Sequence, residues 1–109
     1  MTFVPLKNNF DYRNVYEAHH SKANRLFVMY IAKNELSCNR IGISVSKKVG
    51  NSVVRHHVKR LVKENLRLAD YELSGSNDIV IVARASSKDA DFHKVGEALL
   101  HLFKLHHLC

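Results

Sequence analysis

Between Arg40 and Leu68 the chain carries eight lysines and arginines, Arg40, Lys47, Lys48, Arg55, Lys59, Arg60, Lys63 and Arg67, against one acid, Glu64. Arg55, Lys59 and Lys63 recur every four residues, so on a helix they form a row of like charges whose repulsion costs about 0.2–0.5 kcal/mol per pair. Such a row asks for an anion. Arginine offers a phosphate two parallel hydrogen bonds, lysine offers a point charge, and both release counterions from a polyanion. A solvated helix face is the bland alternative, but solvated faces mix their signs and this one hardly does. The pattern favours RNA.

Ahead of the row stands Lys47-Lys48-Val49-Gly50-Asn51-Ser52. A turn that opens a helix presents free amides and the positive end of the helix dipole to a phosphate, with Lys47 and Lys48 beside it. The segment lacks the GxxxxGK pattern of a nucleotide-binding loop, and a plain turn fits it equally well. Eight histidines include the adjacent pairs His19-His20, His56-His57 and His106-His107. Neighbours on a helix point about 100° apart and rarely share one ion, which argues against zinc at His101, His106, His107 and Cys109. His56 and His57 fall within the cationic stretch, where hydrogen bonding or stacking with RNA suits them, their charge rising as the pH falls. The ten acids form neither a carboxylate pair nor a nucleophile–base arrangement, so no protein-borne catalytic site is expected, and a histidine-dependent nuclease resting on His56 and His57 is the weakest reading.

These side chains need a scaffold. A 109-residue chain with 46% hydrophobic residues and a formal charge of +7 fits one domain, residues 1–109, with a modest core. Cys38 and Cys109 belong to no CxxC pair, and a reducing cytoplasm suits them. The N-terminus has no signal-peptide run, and no segment approaches the roughly 20 apolar residues of a membrane span.

Periodicity predicts a short aromatic helix over Asn8 to His19, a two-faced strand over Asn24 to Ala32 and an alternating strand over Arg40 to Ser46, the two strands pairing as an antiparallel hairpin. A helix follows from Asn51 or Ser52 to Leu68, with Val54, Val58, Leu61, Val62 and Leu66 on one arc and the cations on the other. A turn at Ser74–Asn77, a buried strand over Asp78 to Arg84 and a helix over Asp91 to His106, built on Phe92, Val95, Leu99, Leu102 and Phe103, complete an α+β order of α-β-β-α-β-α. Arg40 to Arg84 reads as a βαβ unit with parallel strands and a crossover that general rules make right-handed. Tyr12, Tyr16 and Tyr30 keep polar tips where the first helix meets the sheet, so stacking on unpaired bases competes there with simple core packing.

The segment RIGISVSKKVGNSVVRHHVKRLVKENLR resembles the signature of the bacterial ribonuclease P protein subunit. LKNNFDYRNVY, ANRLFVMY and DIVIVAR follow the same family in the same order, covering nearly the whole chain. The resemblance implies a fold like the second domain of ribosomal protein S5, with a small mixed sheet and a left-handed βαβ crossover. It implies a protein that assists a catalytic RNA in removing the 5′ leader of precursor tRNA, with Mg²⁺ held mainly by the RNA and the substrate, and with no membrane or small-molecule partner. Carried over residue by residue, Lys47, Lys48, Asn51, Arg55, His56, His57, Lys59, Arg60, Lys63 and Arg67 would face the catalytic RNA. Tyr12, Tyr16, Phe27, Val28 and Tyr30 would line a cleft for the leader. His56 and His57 stand where the family usually has asparagine and arginine, and Lys63 where arginine is common, which alters charge and hydrogen-bonding geometry. A ribosomal-type RNA-binding protein with no part in catalysis is the alternative.

Overall fold

The DIVIVA run that predicts a buried strand becomes the centre of the molecule. In the computed structural model, which describes residues 1–109, β5 (Asn77–Ala83) is buried at every position but Val82. A strand apolar on both faces needs a neighbour on each side. It pairs parallel with β4 (Arg40–Ser44) and antiparallel with β3 (Phe27–Lys33). Two short strands extend the edges: β1 (Val4–Pro5) lies parallel to β4, and β2 (Ser21–Ala23) antiparallel to β3, giving the order β1-β4-β5-β3-β2. Pro5, which has no N–H to donate, sits in an edge strand where none is required.

The expected βαβ unit forms, with β4 and β5 parallel and joined by α2 (Ser52–Leu68). The expected hairpin does not. Ile41 and Ile31 both face Ile79, so β5 separates the two strands read as partners. The loop between them carries the reason. Asn34 Nδ2 donates to Asp78 Oδ1 at 2.8 Å and Asn39 Oδ1 accepts from the Asn77 N–H at 2.8 Å, so its two asparagines bracket the start of β5 instead of closing a tight turn. The sequence reading also missed β1, β2 and a 3₁₀ turn at Ala85–Asp89.

Helices cover the two faces unequally. On one face α2 buries Val58, Val62 and Leu66, and α3 (Phe92–Leu105) buries Val95, Leu99, Leu102 and Phe103. Both pack on Phe27, Met29, Ile41, Ile79 and Ile81. On the other face α1 (Asn9–Glu17) buries Val15 alone, against Leu6 and Val80. Asn8, Asn51 and Asp91 cap the three helices by accepting from the amides of Phe10, Val54 and Lys94. No helix is long and apolar enough to cross a membrane.

Candidate nucleic-acid interface

Because α2 spends every fourth residue on the core, the intervening positions turn outward. His56, His57, Lys59, Arg60, Lys63 and Arg67 are exposed and Arg55 is half-buried. Of these, only Arg67 meets a carboxylate, Glu64 Oε2 at 2.8 Å on the same helix, and that contact holds the Glu64 carboxyl below its ordinary range. Arg55, Lys59, Arg60 and Lys63 form no ion pair, and only Arg60 lies near enough to Glu64 to help hold that carboxyl down. Arg55 Nε is buried with no hydrogen-bond partner, beside a groove of about 240 Å³ lined by Val45, Ser52, His56 and Lys59. Lys47 and Lys48 are exposed just before the helix, and Asn51 spends its side-chain oxygen on the cap.

Arg40, counted with these cations in the sequence, does not belong to them. Its Nε and Nη2 grip both oxygens of Asp78 at 2.8 and 2.6 Å, and its Nη1 reaches Asp11 Oδ2 at 3.2 Å. The pairing raises the Arg40 pKa further above its ordinary value, chiefly through the hydrogen bonds it donates to Asp78. Burial by itself would raise Asp78, but the hydrogen bonds from Arg40 and Asn34 outweigh it and hold the carboxyl below its usual range. Arg40 ties α1 to the sheet.

The second set of predicted residues splits by strand parity. Val28 and Tyr30 lie half-buried on the α1 face with Tyr12 and Tyr16, and the Tyr16 and Tyr30 rings meet edge to face with centroids 4.9 Å apart. Burial raises the Tyr12 pKa, and the hydroxyl lies so close to Gly42 that a Cβ there would stand 2.3 Å from it. Phe27 does not line this face. It is 0% exposed in the core under α2 and α3, as successive strand residues point to opposite sides.

A groove of about 550 Å³ joins the two regions around the β1 edge, with Lys59, Lys63 and Arg67 on one rim, Tyr12 on the other and Phe3, Ile41 and Ile43 along its floor. Sequence reasoning missed Phe3 and Lys7 in this groove because β1 is too short to show a period. Phe10, which the helical pattern groups with the core aromatics of the first helix, is instead 63% exposed on α1. Phe92, read as core, stays 37% exposed at the start of α3, where it lines a slot with His57, Arg60, Leu61 and Glu64 of α2.

The histidines do not converge. His106 Nε2 donates to the Met29 carbonyl at 2.9 Å and burial lowers its pKa, while no three His, Cys, Asp or Glu side chains stand close enough to hold a metal ion. The arrangement suits binding of an extended polyanion with unpaired bases: a cation row, an apolar groove beside it and tyrosines at its far end.

Comparison with known proteins gives the family and the fold. The family model for ribonuclease P matches residues 2–106. The ribonuclease P protein component of Lachnoclostridium phytofermentans is 56% identical over 101 residues, covering 93% of this chain and 87% of the relative. That of Alkaliphilus metalliredigens is 50% identical over 99 residues, covering 91% and 89%. The solved RNase P protein of Staphylococcus aureus superposes with a TM-score of 0.87 at 36% identity over 98% of both chains, and that of Thermotoga maritima with 0.83 at 30% identity over 93% and 96%.

Proposed function

Because the chain belongs to the ribonuclease P protein family, we propose that it docks on the catalytic RNA of ribonuclease P through the outward face of α2 and holds the 5′ leader of precursor tRNA on the α1 face of the sheet. One observation carries the reading: Arg55, Lys59, Arg60 and Lys63 line one helix and none of them forms an ion pair within the molecule. A charge row left unpaired in the folded protein is paired by what it binds, and the counterions it releases drive the association.

The groove around the β1 edge supports a continuous path for one strand. Phosphates would follow Lys59, Lys63 and Arg67 while bases pass over the apolar floor toward Tyr12, Tyr16 and Tyr30, whose rings offer sequence-tolerant stacking. Mg²⁺, bound by the RNA and the substrate, would supply the charge stabilisation and the activated water for phosphodiester hydrolysis. The protein's part is affinity and position: its cations lower the repulsion between two polyanions, which reduces the Mg²⁺ needed to bring them together.

Reconstitution tests this. At low Mg²⁺ the protein should stimulate leader removal by the catalytic RNA, and lengthening the leader from zero to several nucleotides should strengthen substrate binding only when the protein is present. Stimulation that is absent, or indifferent to leader length, sinks the reading and leaves a general RNA-binding protein. Arg60→Ala should weaken binding to the catalytic RNA and reduce the slope of log affinity against log salt by about one unit, with stability unchanged within about 0.5 kcal/mol.

A further inference from the structure

We propose that the slot between α2 and the first turn of α3 takes an unpaired guanine of the catalytic RNA, stacked on Phe92 and read by the Glu64 carboxylate. The inference rests on the docking reading above and extends that interface from one helix to two. The slot measures about 270 Å³ and is lined by His57, Arg60, Leu61, Glu64 and Phe92. That lies below the roughly 300 Å³ at which drug-sized sites begin, and suits one heterocycle.

Its geometry is set by the backbone. Asn65 Nδ2 donates to the carbonyls of Leu61 at 2.9 Å and Phe92 at 3.1 Å, fastening the start of α3 to α2. Gly96 lets the helices approach, since a Cβ there would stand 2.5 Å from Asn65 Oδ1. Phe92 is therefore held in place and yet exposed at the edge of a cationic helix. An aromatic ring presented beside an exposed arginine and histidine is what an unstacked nucleotide needs: a flat apolar surface for the base, and Arg60 and His57 for its phosphate.

Glu64 narrows the choice of base. One of its oxygens accepts from Arg67 Nη2 at 2.8 Å, which leaves the other free as an acceptor with no donor of its own. Guanine presents two adjacent N–H donors on its Watson–Crick edge, whereas uracil offers one and repels a carboxylate with its flanking carbonyls.

Binding of the catalytic RNA to Phe92→Ala, Phe92→Tyr, Arg60→Ala and the Phe92→Ala/Arg60→Ala double variant tests the slot. The expected result is about tenfold weaker binding by Phe92→Ala with the melting temperature retained, recovery in Phe92→Tyr, and a double variant weakened by less than the product of the singles. If Arg60→Ala weakens binding and Phe92→Ala does not, the slot is overturned and the docking reading stands; if neither does, both fall. Titration of the oligoribonucleotides UUGUU and UUAUU, followed through the Phe92 ring protons by NMR, tests the base. A guanine-dependent shift, lost in Glu64→Gln, is expected, and equal shifts from both would overturn the assignment to guanine.

Discussion

The two faces of the central sheet are built from alternate residues of the same strands, and they do different things. Under α2 and α3, Phe27, Met29, Ile79 and Ile81 are fully buried in a core of 17 residues; under α1, a core of three, Leu6, Val15 and Val80, leaves Val28, Tyr30 and Val82 half-covered. Adjacent positions on β3 thus divide the labour: one set closes the protein and the next set stays available. The face that is incompletely sealed carries the tyrosines, and a long helix would have hidden them where nine-residue α1 does not.

The largest effect that would sharpen this contrast is on the closed face. Phe27→Ala should cost about 3–5 kcal/mol in a urea unfolding titration, since it leaves a cavity in rigid packing. A loss under 1 kcal/mol would mean that the ring is not where strand parity puts it. The joint that fastens α1 to the open face comes next. Asp78→Ala should cost about 1.5–3 kcal/mol because it removes two of the three charge-assisted hydrogen bonds of half-buried Arg40 and leaves it Asp11 alone. The same pair sets a pH signature. Asp78 titrates below its unfolded value, so its contribution is fully present above the ordinary carboxylate range of about 4 and is lost as the pH falls through the lower folded value. Asp78→Asn should remove that acid limb from a plot of stability against pH.

Gly42→Ala probes how closely α1 lies on its face. The added methyl would meet the Tyr12 hydroxyl, and the expected cost is about 1–3 kcal/mol as overpacking displaces the ring, with weaker leader binding alongside. The smallest effect on stability belongs to the open face itself. Tyr30→Leu should change unfolding free energy by no more than about 1.5 kcal/mol, yet erase the gain in substrate affinity from a longer leader. A variant that lost stability heavily and kept the leader effect would reverse the division between the faces.

Much of this was legible in the residues, because the relevant signals are local. The four-residue spacing of Val54, Val58, Val62 and Leu66 against Arg55, Lys59 and Lys63 specifies α2 and its orientation before any tertiary contact is known. Alternation through Arg40 to Ser44 and the run from Asp78 to Ala83 likewise identify strands. What stayed hidden depends on partners distant in sequence. Nothing near Phe27 says which of two apolar faces meets the larger core, and nothing near Arg40 announces Asp11 and Asp78, so an inward-facing cation was counted with the outward ones. The hairpin reading failed for the same reason: nearest neighbours in sequence are the default partners, and the asparagine bridges that reserve a place for β5 come from opposite ends of a loop.

That reserved place governs how the molecule can be assembled. Until residues 77–83 arrive, β3 and β4 are two unjoined edges, each with its backbone amides and carbonyls turned toward a gap. The N-terminal two thirds of the chain, produced alone, should therefore not reach the native sheet. The closing step is insertion of one strand between two others, a distant-in-sequence event that makes folding slow for a chain this short and leaves any product truncated before Asn77 exposed to sticky edge pairing.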